Sequence, residues 1–238
     1  MCGRFTQDTS WAEVRAFLQP IEFQPPDQTP EARFNIAPTQ TAWVILPDQD
    51  LLTAQPMRWG LIPGWAKDLK KLGYSTFNAR VESVASKPTF RHAFRKHRAL
   101  LLASGYYEWT TQAAGKQANF IHASEAPLLC MAALWEPPSS AFPEQASFSI
   151  LTCPARGPVA ELHDRMPVML PPEQGLIWTR QAPSDPLAWA EQTDSPRLSW
   201  HAVDKAVGNV RSQGPRLCRP IDAAATGAAE SAEQNELW

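Results

Sequence analysis

Residues 98–109, RALLLASGYYEW, decide how the rest of the chain is read. The apolar run that opens this stretch has the character of a strand covered on both faces and central in its sheet. Side chains alternate along a strand, so Glu108 faces the same way as Tyr106 and opposite to Tyr107 and Trp109. A carboxylate set among aromatics at the end of a buried strand has its pKa raised, which suits it to proton transfer. A strand-end glutamate with its head in water is the plainer alternative.

Working outward, the β pattern repeats on both sides. TAWVIL (41–46) and LLTAQPMRWGLIP (51–63) read as strands around the turn PDQD. ANFIHAS (118–124), PLLCMAALW (127–135) and FSILTCP (148–154) continue it, separated by polar or proline-rich turns. Helical signals are short. Ser10 with Glu13 forms a capping-box pattern, Trp11, Val14, Phe17 and Leu18 fall on one face, and Pro20 ends the run. Further helical turns are expected near 89–96, at 158–165 running into the strand MPVML (166–170), and around 172–178 and 186–192. No internal repeat and no linker divides the chain. The expectation is an α+β single domain over 2–221 with a mainly antiparallel sheet and peripheral short helices. The acidic, alanine-rich tail 222–238 is expected to be disordered.

Composition agrees with this class. The 238 residues include 44% hydrophobic side chains and ten tryptophans, enough for a substantial core. The 23 prolines are about twice the usual share of about 5%, which disfavours long helices. Four scattered cysteines without a C-x-x-C pair argue against a zinc ribbon, a redox motif or a disulfide scaffold. The five histidines show no H-x-x-x-H or mixed Cys/His spacing, so neither a metal nor a cofactor is expected. With no basic leader and no apolar run near 18 residues, a soluble cytoplasmic protein with reduced thiols is expected, with no membrane partner. The net charge of −2 is uneven, because the tail holds four acids and no base. Between positions 80 and 98 six basic residues face Glu82 alone, either a solvated face or a surface that attracts anions.

MCGRF, at the start, places Cys2 behind the initiator methionine. Removal of Met1 would leave an α-amine of pKa roughly 7.7–8 beside a thiol of about 8.5, against about 10.4 for a lysine amine. Such a 1,2-aminothiol can react with an aldehyde in two steps, Schiff base and then ring closure by sulfur to a thiazolidine. The thiol alone could instead attack a carbonyl, and an unremarkable second residue is the third reading. Other residues offer matching chemistry. In FNARVES, Asn78 and Arg80 share a side if extended, an amide to position a reacting group and a cation to hold a phosphate. In LHDR, His163 is a general acid or base candidate whose tautomer Asp164 or Arg165 can fix. In MRWGLIPGW, Trp59 and Trp65 flank a Pro-Gly turn, where they could stack on exposed bases or belong to the core.

Together MCGRF, RFNIAPTQ, MRWGLIPGW, FNARVES, ASGYYEW, LHDRMPVML and AVGNVRSQGP resemble the family of SOS-response-associated peptidases, in the family's order, from residue 2 to about 220. The resemblance implies a barrel-like β core, a basic groove for single-stranded DNA, and covalent crosslinking to abasic sites in that DNA. It implies catalytic roles for Cys2 as nucleophile through amine and sulfur, Asn78 in positioning, Glu108 in proton shuttling, and His163 in sugar ring opening and reversal. It implies phosphate contacts for Arg4 and Arg80, a DNA-binding face shaped by Trp59 and Trp65, self-removal of Met1, and a monomer. Cys153 and Pro154 depart from the more polar segment expected there. A thiol peptidase or amidase acting in trans, and a non-covalent reader of modified or single-stranded DNA, are the competing readings.

Overall fold

The computed structural model describes residues 2–72, 75–113 and 115–221; Met1 and the acidic tail, with the expectation of its disorder, lie outside them. The chain enters at once into β1 (Phe5–Gln7). Helix α1 (Trp11–Leu18) starts where the capping box requires: Ser10 N–H donates to the Glu13 carboxylate at 2.7 Å, and Glu13 N–H donates to Ser10 Oγ at 3.3 Å. Val14 and Leu18 point into the core, with Trp11 and Phe17 packed at its margin. β2 (Phe23–Gln24) and β3 (Arg33–Ile36) follow. β4 (Thr41–Asp48) and β5 (Leu51–Trp59) form the hairpin that PDQD marked, paired from Thr41↔Arg58 to Asp48↔Leu51.

Next come β6 (Asn78–Arg80), α2 (Arg91–Lys96), β7 (Arg98–Ala103), β8 (Tyr106–Gln112), β9 (Gly115–Ala123), β10 (Leu129–Glu136) and β11 (Ser147–Pro154). β12 (Arg165–Pro167), α3 (Pro172–Arg180), α4 (Pro186–Glu191) and β13 (Leu198–Val203) complete the elements used below. Two expectations change. The segment 158–165 is a 3-10 turn at Gly157–Glu161 followed by irregular backbone. MPVML is only partly strand, but its ladder continues: Val168 N–H donates to Leu151 O, and Leu170 N–H to Cys130 O, both at 2.9 Å.

RALLLASGYYEW is also not one strand. β7 ends at Ala103 inside one sheet and β8 begins at Tyr106 inside another. Gly105 makes the crossing possible: a Cβ there would come within 2.3 Å of the Phe120 ring and 2.6 Å of the Ile121 carbonyl. The run of buried side chains from Arg98 to Ala103 confirms that β7 is covered on both faces.

The larger sheet runs β12-β11-β10-β7-β4-β5-β2 and bends round until β11 meets β5 in parallel, at Ser147↔Arg58 and Phe148↔Trp59. That pairing closes β5, β4, β7, β10 and β11 into a barrel, with β6 added in parallel to β11. The second sheet, β13-β9-β8-β1-β3, is antiparallel throughout. β8 alternates between two cores as its sequence predicts. Tyr106 enters the main cluster with Phe5 and Trp59, while Tyr107 enters a smaller one with Phe120 and Val203. The fold is α+β and mainly antiparallel, with a barrel-like core and short peripheral helices. Among the described residues no helix is long and apolar enough to cross a membrane.

Candidate active site

The described chain is held in place from Cys2 onward. β1 lies between β3 and β8, with Phe5 opposite both Ile36 and Tyr106, and Tyr107 N–H donates to the Arg4 carbonyl at 2.9 Å. Strand pairing on both sides drags Cys2 into the molecule, where it is completely buried. From the other sheet, β6 brings Asn78 to it. Asn78 Nδ2 donates to the Cys2 carbonyl at 2.8 Å, and Asn78 Oδ1 is buried without a hydrogen-bond partner. One amide arm therefore fixes the Cys2 backbone and leaves an acceptor beside it.

Glu108 approaches from β8 and is also buried. Burial raises its carboxyl pKa, opposed by the charge of His163 and reinforced by that of Asp164. Burial likewise pushes the Cys2 thiol up, with the Glu108 carboxylate adding to the effect. Cys2 and Glu108 thus share one electrostatic environment, and the thiol stays protonated at neutral pH. Tyr106 belongs to the same place: it is wholly buried, two residues before Glu108 on the same face, and its hydroxyl has no hydrogen-bond partner. Burial, then Cys2 and Glu108, raise the Tyr106 phenol pKa. The alternation that singled out Glu108 also pointed to Tyr106, but an aromatic ring in a core carries no signal of its own.

His163 sits between the 3-10 turn and β12. Its Nδ1 accepts the Arg165 backbone N–H at 2.9 Å and lies 2.6 Å from Asp164 Oδ1. These contacts alternate rather than coexist. With Arg165 donating, the ring carries its proton on Nε2; with Nδ1 protonated, the ring donates to Asp164. Arg165 itself is buried by an ion pair to Glu82 and a 2.7 Å bond to the Thr152 carbonyl, which ties the segment after β6 to β11 and β12.

The candidate DNA contacts fall less uniformly. Arg80 is exposed beside Asn78 on the wall of a cleft of about 560 Å³ that also includes Lys87. Trp65 is 57% exposed, its Nε1 3.4 Å from the Pro88 carbonyl, at a second cleft lined by Arg91, Arg95 and Lys96. Trp59 corrects the expectation of a stacking surface. It is wholly buried among Phe5, Phe77 and Phe148, with Nε1 bonded to the Phe77 carbonyl at 2.8 Å, because it ends the barrel-closing strand. Arg4 is similarly occupied: its guanidinium donates to Asn35 Oδ1 and the Val207 carbonyl at 2.7 Å and to the Gly208 carbonyl at 3.1 Å. Those bonds anchor the N-terminal strand and leave only part of the guanidinium for a phosphate.

The fold and site define a two-sheet α+β protein whose buried Cys2 meets an amide from β6 and a carboxylate from β8, with a histidine acting on that carboxylate from the loop before β12. The SOS response associated peptidase (SRAP) family model matches residues 1–210, and the chain belongs to that family. Among curated relatives, "Abasic site processing protein YedK" of Escherichia coli is 34% identical over 227 residues, 93% of this chain and all of that protein. "Abasic site processing protein YoqW" of Bacillus subtilis is 32% identical over 190 residues, 78% of this chain and 83% of that protein. "Abasic site processing protein HMCES" of Gallus gallus is 28% identical over 270 residues, 93% of this chain and 78% of that protein. A solved structure from Bacteroides thetaiotaomicron superposes with a TM-score of 0.74 at 18% identity, over 93% of this chain and all of that one, which shows the fold.

Proposed function

We propose that this protein processes abasic sites in single-stranded DNA by covalent capture through Cys2, after removing its own Met1. The observation that carries this reading is the burial of Cys2 against Glu108 with Asn78 bonded to its carbonyl. Relatives named as abasic site processing proteins support the substrate. Hydrolysis of the Met1–Cys2 bond consumes one water and frees the Cys2 α-amine. The amine adds to the aldehyde of the ring-opened sugar, and the carbinolamine loses water to give an imine. The Cys2 sulfur then adds to the imine carbon, its proton ending on the nitrogen, which closes the thiazolidine.

Each surrounding group has a share. A carboxyl with raised pKa can protonate the departing hydroxyl and, once ionised, take the thiol proton, which suits Glu108 to both steps. Asn78 keeps the Cys2 backbone still and offers Oδ1 to the amine or a sugar hydroxyl. His163, with its proton on Nε2, serves ring opening and reversal. Arg80, Lys87 and the exposed bases of α2 attract the DNA backbone, and Trp65 supplies an exposed ring for a base. The raised Cys2 thiol disfavours a hydrolase that depends on a resting thiolate. The test is to mix purified protein with single-stranded DNA carrying one abasic site and separate the products on a denaturing gel. Wild type gives a slower band that Cys2→Ala abolishes; a stable band from Cys2→Ala refutes the proposal.

A further inference from the structure

Away from Cys2, the structure gathers three ligating side chains that spacing along the chain does not reveal. His92 lies on α2, His97 follows its last residue, and Glu136 ends β10, 44 positions after His92. Among the described residues this is the group of three able to hold a metal ion, its donor atoms all within 4.8 Å of one another. His92 Nδ1 lies 2.8 Å from Glu136 Oε1, and His97 Nδ1 lies 3.5 Å from Glu136 Oε2. The second contact is the looser one: at 3.5 Å it is an ion-pair distance, and the buried His97 Nδ1 meets no ordinary hydrogen-bond geometry. A buried ring nitrogen held that loosely against a carboxylate keeps the capacity for a closer ligand between the three groups.

We propose that His92, His97 and Glu136 form a binding site for a divalent transition ion of the zinc type. Two imidazoles and one carboxylate suit zinc or cobalt rather than calcium or magnesium, which take oxygen donors. With metal–ligand distances of about 2.0–2.2 Å, a tetrahedral site needs donors about 3.3–3.5 Å apart. The His92–Glu136 and His97–Glu136 separations of 2.8 and 3.5 Å lie near that value, and with all three donor atoms within 4.8 Å of one another a small turn of the imidazoles completes the site. Each neutral imidazole binds through Nδ1 and keeps its single proton on Nε2, so no proton need be released by the rings. Glu136 is rooted in the barrel and only 4% exposed, while His92 is 64% exposed on the rim of a cleft of about 520 Å³. The fourth position opens toward that cleft, where Arg91, Arg95 and Lys96 also lie. Those cations weaken the site for a bare ion and favour an anionic fourth ligand such as chloride or phosphate. The bound ion pins α2 to β10 and takes no part in the chemistry at Cys2.

Cobalt(II) is the probe, because a low-coordinate cobalt ion absorbs visibly. Full-length wild type and Cys2→Ala, a variant that removes the competing thiol, are titrated with cobalt(II), followed by zinc(II) to displace it. One saturable equivalent with visible bands in both proteins, weakened at least ~10-fold in His92→Ala and in Glu136→Gln, is the expected result. His92 is exposed, so that variant keeps the fold, which circular dichroism checks. Absence of saturable binding in wild type, affinity unchanged by His92→Ala, or binding lost in Cys2→Ala would each overturn the proposal.

Discussion

Replacing Glu108 by Gln separates the two consequences of burying a carboxylate. Gln keeps the size and polarity of Glu108 and removes its proton chemistry. As a general acid and base Glu108 should be worth ~10²–10⁴-fold in crosslinking rate. The same substitution should also relieve the cost of holding a charge in a site with 4% exposure. The sign follows from linkage. The folded-state pKa lies above the unfolded value of about 4.3, so the native state binds more protons through that window. Wild-type stability therefore falls as pH rises from about 4.3 through the folded-state pKa and then levels off, by about 1.4 kcal/mol for each unit of elevation. Glu108→Gln lacks this loss. Denaturant unfolding of both proteins at about pH 4 and about pH 8, beside single-turnover crosslinking to abasic single-stranded DNA, reads both effects. The variant should gain stability on wild type between the two pH values while crosslinking far more slowly. A stability difference that does not change with pH refutes the burial argument, and a rate within ~3-fold of wild type refutes the proton-transfer role.

Asn78→Ala removes the bond to the Cys2 carbonyl, so unfolding should cost ~1 kcal/mol less and capture should slow ~10-fold or more, read by urea melts and gel time courses. Trp59→Ala and Trp65→Ala should behave oppositely: the buried ring costs ~3–5 kcal/mol of stability, and the exposed one leaves stability within ~0.5 kcal/mol while weakening single-stranded DNA binding by fluorescence anisotropy. Arg80→Ala should lower the salt slope of DNA binding by about 0.7, the share of one phosphate contact on a single strand, without abolishing the crosslink. Arg4→Ala should destabilise by ~1–3 kcal/mol, because Asn35 Oδ1 and the carbonyls of Val207 and Gly208 lose their donor, a change read by thermal melting.

Local signals along the chain were legible where one residue type answers one backbone need. Ser10 and Glu13 marked the start of α1, PDQD the β4–β5 turn, and the apolar run at 99–103 a strand covered on both faces. Alternation along β8 sorts Tyr106 and Glu108 from Tyr107, and a strand end among aromatics foretells the burial that raises the Glu108 pKa. What depended on contacts between distant segments was not legible. RALLLASGYYEW carries no mark of its break between sheets, because the close approach of Phe120 to Gly105 arises only when β9 packs there. Trp59 and Trp65 look alike in MRWGLIPGW, yet one ends a barrel strand and the other lies on the surface turn. Arg4 gave no hint of Asn35, Val207 and Gly208, and His92 and His97 none of Glu136.

Cys2 shows the division most clearly. Residue order alone puts a thiol directly behind Met1 and makes an amide, a carboxylate and a histidine available to it. That β1 runs between β3 and β8, burying the thiol beside Glu108 and under the Asn78 amide, emerges only when the strands pack. The physical reason is that residue chemistry is local, whereas burial and pairing, which set pKa and reach, come from strands far apart along the chain.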